Sequence, residues 1–267
     1  MFDRLIENFV AFEDVDPNRV YLMGYSAGGD GVYQLAPRMA DRWAAAAMMA
    51  GHPNNARPDS LRNTSFTLHV GEHDAPYNRN EVAAEWKRRL AELRREDPNG
   101  YDHWAEIHEG KGHWMDGDDA VAVPWMARRT RLLRPHFVLW RQHGSVTHRR
   151  FYWLAVDGEP QPGKTVTARL SDQSAAGCTI ELSADSGPLK IRLDDQLCDL
   201  ERGVRVVRGG REVYRGRPAR TILTLHRKLE ERGDPTGMFS SEIVMDHGPC
   251  HEEEQEIRHH DASHLDC

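Results

Sequence analysis

The sequence predicts an α/β protein: a parallel sheet with flanking helices, followed by a smaller β-rich module. Two observations predict it. Before Pro135, short apolar runs bounded by turn residues alternate with segments of helical periodicity, the pattern of βα units in a parallel sheet. After Pro135, short β-like runs follow one another between turn residues with a single helical segment among them, the texture of antiparallel hairpins.

Each element has its own signal. Phe2, Leu5, Ile6, Phe9 and Val10 fall at helical spacing and predict a helix over 2–12 with one apolar face. Asp16-Pro17-Asn18 breaks it as a turn. RVYLMGY (19–25) reads as a strand buried on both faces. A helix follows over 28–40. WAAAAMMAG (43–51) is a second candidate buried strand, with its alanines leaving a helix open, and SFTLHVG (65–71) is a third strand. Residues 78–96 form an amphipathic helix, HWAEIHE (103–109) alternates as a strand, and 118–133 is helical in part, with Pro124 near its start. Beyond Pro135, FVLW, FYWLAV, TVTARL, CTIEL and LKIRL are strand candidates. VRVVRGGREVYRG is a hairpin turning at Gly209-Gly210, where positive φ is available. Residues 220–233 add a helix ending at a glycine. From Asp246 the chain is acidic, rich in histidine and poor in apolar residues, which predicts a disordered tail. The expected organisation is therefore 1–135, 136–245 and a tail over 246–267.

Composition narrows the function classes. The 267 residues are 39% hydrophobic, enough for one sizeable core or two smaller ones. Thirty-five basic against 42 acidic residues give a net charge of −7, with no electrostatic footprint for nucleic acid. No run approaches the length of a membrane span. MFDRLIENFV contains acids and lacks the basic end of a signal peptide. That argues for the cytoplasm if Met1 is the true start, and leaves secretion or a periplasmic location open if a signal lies upstream. Cys178, Cys198, Cys250 and Cys267 form no C-x-x-C pair and are expected as buried or free thiols. His247, Cys250, His251, His259, His260, His264 and Cys267 crowd the tail, but their spacing fits no closed zinc pattern, and a solvated tail is the expectation.

Gly24-Tyr25-Ser26-Ala27-Gly28 fits G-x-S-x-G between a predicted strand and a predicted helix. In that context the serine sits on a tight turn that lifts its hydroxyl above the sheet. Flanking glycines are expected because a Cβ would clash as strand and helix close up. The nearby helix N-terminus favours developing negative charge. A serine hydroxyl needs a base, and the base needs a carboxylate, in the chain order Ser, acid, His. Asp74 follows SFTLHVG, and His113 follows HWAEIHE, each in a loop leaving the carboxyl end of its strand, the sheet edge where ligand chemistry gathers. The competitors fit less well. Glu72 lies nearer its strand end, His73 points away from its neighbour, and His103 and His108 lie at or within a strand. His52 is a candidate pocket residue, and Asp116, Asp118 and Asp119 suit the start of the next helix. Tyr25 and Trp114 flank the site as pocket walls or as packing aromatics.

With DPNRVYLMGYSAGGDGVYQLA, GEHDAPYNRN and EGKGHWMD in view, residues 1 to about 135 resemble the C-terminal half of an α/β-hydrolase of the serine esterase and prolyl-oligopeptidase-like type. More loosely, LKIRLDDQLCDLERGVRVVRGGREVYRG and LEERGDPTGM resemble the β-rich C-terminal region of some bacterial members. The resemblance implies acyl transfer on a small-molecule ester or a peptide. Ser26 would be the nucleophile, His113 the base, Asp74 its orienting acid and the Ala27 N–H one oxyanion donor, with no metal or organic cofactor. An esterase is expected over a peptidase. The second oxyanion donor normally comes from a loop after an earlier strand, and only one helix and one turn precede RVYLMGY. The expectation is therefore a chain lacking the N-terminal half of the catalytic domain, with the apolar edge of the first strand unpaired. The alternative function is a catalytically silent chain whose β-rich half serves binding or assembly.

Overall fold

The computed structural model describes residues 2–143, 148–174 and 177–245. The tail from residue 246, with the predicted disorder and the metal question attached to it, lies outside the described residues.

The fold is α/β. Strands β1 (Tyr21–Tyr25), β2 (Ala45–Met49), β3 (Ser65–Gly71) and β4 (His103–His108) form a sheet in the order β1-β2-β3-β4, parallel throughout. Helices α1 (Phe2–Phe12), α2 (Ala27–Arg38), α3 (Arg79–Glu96) and the short α4 (Ala122–Met126) flank it. The alanines of β2 show why a central strand can be so rich in them. All five of its residues are buried. Ala46 and Met48 pack with Val32, Tyr33 and Ala36 of α2 and Ala83, Trp86 and Leu90 of α3. Ala45, Ala47 and Met49 face the other way, onto Met115 and Ala122 and Met126 of α4. Period-two alternation thus serves both faces, and small side chains let helices approach closely from each side.

Three details differ from the sequence expectation. The helix expected within 118–133 is a 3₁₀ turn at Asp118–Val121 followed by five residues of α4. The apolar face of α1 buries Ile6, while Phe2, Leu5, Phe9 and Phe12 remain exposed. Strand β1, at the sheet's outer edge as expected, is not buried on both faces: its Met23 is half exposed.

After Pro135 come two further sheets. One holds β5 (Phe137–Arg141), β8 (Thr165–Ser174), β9 (Gly177–Leu182), β11 (Val204–Arg208) and β12 (Arg211–Gly216). The other holds β6 (Arg150–Phe151), β7 (Leu154–Ala155), β10 (Leu189–Leu193) and β13 (Ser241–Met245). They share one core that includes Val138, Trp153, Ile180, Ile191, Val206 and Ile243. The β11–β12 hairpin turns at Gly209 and Gly210, with φ of 54° and 82°, the positive pair that a two-residue hairpin requires. Helix α5 (Ile222–Arg232) starts with the Thr221 hydroxyl accepting the Thr224 N–H and ends at Gly233, φ 58°, a left-handed glycine stop. Antiparallel pairing is not universal here, because β9 and β11 run parallel.

The cysteine expectation needs a correction. Cys178 and Cys198 are disulfide-bonded, with Cα atoms 6.0 Å apart and both residues buried. Twenty residues separate them in sequence. The packing of the two sheets brings them together, and no local spacing announces it.

The parallel sheet and the β-rich part are joined at several points. Asn63 donates to the Phe137 carbonyl at 2.9 Å, and the Arg141 N–H donates to the Ser60 hydroxyl at 2.9 Å. A buried ionic network adds to this: Arg232 meets Asp41 at 2.7 Å, Arg131 meets Asp234 at 2.8 Å, and Arg42 meets Asp234 at 3.7 Å. Among the described residues, no helix is long and apolar enough to cross a membrane.

Candidate active site

Strand β1 ends at Tyr25 and helix α2 begins at Ala27, so Ser26 alone makes the turn. Its backbone sits at φ 54°, ψ −118°, outside the regions that side-chain-bearing residues populate comfortably. Hydrogen bonds on both sides hold it there: the Ser26 N–H donates to the Met49 carbonyl at 2.9 Å, and the Asp30 N–H donates to the Ser26 carbonyl at 3.0 Å. The two motif glycines are not equivalent. A Cβ on Gly24 would lie 2.3 Å from the Gly28 carbonyl oxygen, whereas a Cβ on Gly28 would meet open space. The expectation of a clash at both glycines is therefore corrected at Gly28, whose backbone is what Gly24 approaches. Gly29, which the motif does not name, is as crowded as Gly24: its Cβ would fall 2.4 Å from the Met49 carbonyl oxygen.

Ser26, Asp74 and His113 come together above the carboxyl ends of β1, β3 and β4. The Ser26 hydroxyl lies 3.0 Å from His113 Nε2, and His113 Nδ1 lies 2.8 Å from Asp74 Oδ2. Asp74 is fully buried, while the His113 side chain is 38% exposed. An ionised carboxylate only accepts, so Nδ1 carries the ring proton toward Asp74, and Nε2 is left to accept from the serine. The second carboxylate oxygen receives Arg79 Nη1 at 3.1 Å. Arg79 escaped the sequence reading. Its signal is position: it opens α3 directly after the loop that carries Asp74.

The loop holding His113 is fastened to its neighbours. The His73 N–H donates to the Lys111 carbonyl at 2.8 Å, and the Gly110 N–H donates to Glu72 Oε2 at 2.8 Å. Lys111 pairs with Asp116 at 3.0 Å and Asp118 at 3.2 Å. The Tyr25 hydroxyl donates to the His113 carbonyl, and the Tyr25 ring meets the His113 and Trp114 rings edge-on, with centroids 5.5 and 5.3 Å away. Tyr25 thus braces the loop, whereas Trp114 is 71% exposed and free to meet a ligand. Burial, then the charges of Asp119 and Asp74, raises the Tyr25 pKa, keeping its phenol protonated as a donor.

The remaining histidines lie elsewhere. His69 is buried within β3, 2.9 Å from the Thr67 hydroxyl and 3.1 Å from His108. Burial first, and then His108, pushes its pKa down to about 4. His103 Nδ1 lies 2.8 Å from the Tyr101 carbonyl. Ala27 is the first residue of α2, and the first N–H groups of a helix have no intrahelical acceptor.

No family model and no curated protein matches the chain. Among solved structures it is similar to a thermostable esterase, at 19% identity and a TM-score of 0.41 over 48% of this chain and 35% of that one. It is similar to the Bacillus cereus carboxylesterase at 16% identity and a TM-score of 0.36, covering 48% of this chain and 57% of that one. A carboxylesterase from Mesorhizobium loti is similar at 18% identity and a TM-score of 0.35, with 47% and 57% covered. The chain thus spans between about a third and three fifths of the length of these esterases.

Proposed function

We propose that this chain carries the nucleophile, base and acid of a serine ester hydrolase working through an acyl-enzyme. The observation that carries the reading is the unbroken relay from Ser26 through His113 to buried Asp74, with contacts of 3.0 and 2.8 Å, on a serine held at positive φ. In the proposed reaction the Ser26 oxygen attacks the acyl carbon of an ester as its proton passes to His113 Nε2. The tetrahedral intermediate collapses, the bond to the alcohol oxygen breaks, and the alcohol leaves with that proton. Water then attacks the acyl-serine by the same route, and the acid departs as Ser26 regains its proton. Asp74 holds the imidazole in the productive tautomer and stabilises the imidazolium as it forms. The Ala27 N–H, at the head of α2, is the oxyanion donor. Esters suit this arrangement better than amides, because their carbonyl is more electrophilic and asks less of an oxyanion site with one assigned donor. Exposed Trp114 beside Tyr25 offers an apolar surface for the acyl or alcohol group.

A fluorophosphonate probe tests the reading directly. The wild-type chain is expected to label stoichiometrically and to hydrolyse p-nitrophenyl acetate, and Ser26→Ala to lose both the label and the hydrolysis. A folded wild-type chain that fails to label defeats the proposal and leaves the silent alternative standing.

A further inference from the structure

A second concavity lies away from Ser26, Asp74 and His113, none of which lines it. It has a volume of about 640 Å³ and is walled by the end of α2, the loop over 52–58, α3 and the turn after β5. That size is typical of small-molecule sites. Four guanidinium groups line it, from Arg38, Arg57, Arg89 and Arg141, together with His52 and His143, against the single carboxylate of Glu85. The concentration of positive charge runs against a chain whose net charge is −7.

What sets these arginines apart is their lack of counter-charges. Among the described residues, Arg38, Arg57 and Arg141 make no ion pair, and Arg89 meets Glu92 at 3.4 Å on the surface. Arg42, Arg131 and Arg232, by contrast, are each matched to buried carboxylates. Arg38 is held in place by the Gln34 carbonyl at 2.9 Å and by the Gln34 side chain. Like charges gathered around a cavity repel one another and raise its potential, an arrangement that a bound anion would relieve. His143 makes the same point independently. Its Nε2 is buried without a hydrogen-bond partner among the described residues, a state that buried polar atoms rarely keep. Burial, and after it the charges of Arg38 and Arg141, pushes its pKa down to about 4, with Asp59 acting in the opposite sense. The imidazole is therefore neutral at pH 7 and sits in a positive field. His52 adds a donor: its Nδ1 accepts the Asn54 N–H at 3.0 Å, which leaves the ring proton on Nε2.

We propose that this cavity binds a small molecule carrying two or more anionic groups, phosphate or carboxylate. Guanidinium forks grip such groups in pairs of parallel hydrogen bonds, and four of them around one space can hold more than one. Indole and aliphatic surface from Trp86 and Val82 in the same wall suits the carbon part of such a ligand.

Calorimetric titration at constant ionic strength tests the assignment, with inorganic pyrophosphate in one arm and citrate in the other. Saturable binding of either anion is expected, with a matching rise in melting temperature, and the tighter arm identifies phosphate or carboxylate as the recognised group. Arg57→Gln, at an exposed loop position, and Arg141→Gln are each expected to weaken binding by about tenfold or more. Their ligand-free melting temperatures report whether each variant is folded. No saturable binding of either anion, or unchanged binding in folded Arg57→Gln, overturns the proposal.

Discussion

Asp74 and Asp234 are both buried carboxylates facing cations, and they sit in opposite kinds of surroundings. Asp234 faces Arg131 at 2.8 Å, Arg232 at 3.5 Å and Arg42 at 3.7 Å, all with side chains almost wholly buried. Its other oxygen caps the turn after α5 by accepting the Thr236 N–H at 3.1 Å and the Gly237 N–H at 3.2 Å. Every group around it is packed, so its charge joins the turn after α2, the segment after α4 and the end of α5. Asp74 shares one oxygen with Arg79 and gives the other to His113, whose ring reaches the surface and has a second nitrogen on Ser26. The difference teaches that burial of a charge does not mark a chemical site. What marks it is a partner with a free end directed at a group that can react.

The comparison breaks most sharply at Asp74. Asp74→Asn removes the acceptor that holds the His113 tautomer, and turnover in the proposed ester hydrolysis is expected to fall by roughly 10⁴-fold. Its melting temperature should change much less than its rate, as read by p-nitrophenyl acetate hydrolysis beside thermal unfolding. A variant that loses stability and rate together would place Asp74 with Asp234.

Asp234→Asn is expected to do the reverse. Leaving buried guanidinium groups without their shared carboxylate should cost about 3–5 kcal/mol. That corresponds to a fall in melting temperature of roughly 6–20 °C for a chain of this size. Fluorophosphonate labelling per folded molecule should stay unchanged. The same carboxylate makes an acid-sensitivity prediction. Burial pushes its pKa up, but Arg131 and Arg232 outweigh burial and leave it at about 2. A folded pKa below the unfolded value of about 3.9 means stability fully present above about pH 5 and lost as the pH falls towards 2. Melting temperature measured from pH 6 down to pH 2.5 should fall less steeply in Asp234→Asn than in the wild type.

Smaller effects sharpen the site's own side of the comparison. Gly24→Ala drives a Cβ into the Gly28 backbone, and is expected to destabilise by about 1–3 kcal/mol and to slow turnover by displacing Ser26. Gly28→Ala meets open space inside α2. It should gain about 0.5–1 kcal/mol from the better helix former while keeping its rate. Paired melting curves and rates of the two variants check the asymmetry, and equal losses in both would remove it.

Much of the fold was legible because its signals are local. The strand-turn-helix around Ser26 is written in seven consecutive residues and a break in periodicity. The Gly209-Gly210 turn and the Gly233 stop are single backbone requirements, visible wherever glycine stands. Asp74 and His113 were legible because each follows directly on a readable strand, and parallel strands deliver their following loops to one edge. The misses lie where distant segments meet. Strand β13 was unread in SEIVM because nothing in five residues says that they pair with β10. Arg79, only five residues from Asp74, was unread for another reason: its role depends on which way Asp74 turns its second oxygen.

The sequence by itself determined the order of βα units, the elbow at Ser26, the chain order Ser26, Asp74, His113 and the change of texture at Pro135. Each follows from periodicity, turn chemistry or position in a loop, which act over a few residues. Only the tertiary structure decided that Cys178 meets Cys198, that β9 and β11 run parallel, that Asp234 gathers three arginines, and that Arg38, Arg57, Arg89 and Arg141 surround one cavity, three of them without an ion pair among the described residues. Those outcomes depend on how whole sheets and helices pack, where contacts between distant residues are set by shape and by the cost of burying charge, and neither is written in a short stretch of chain.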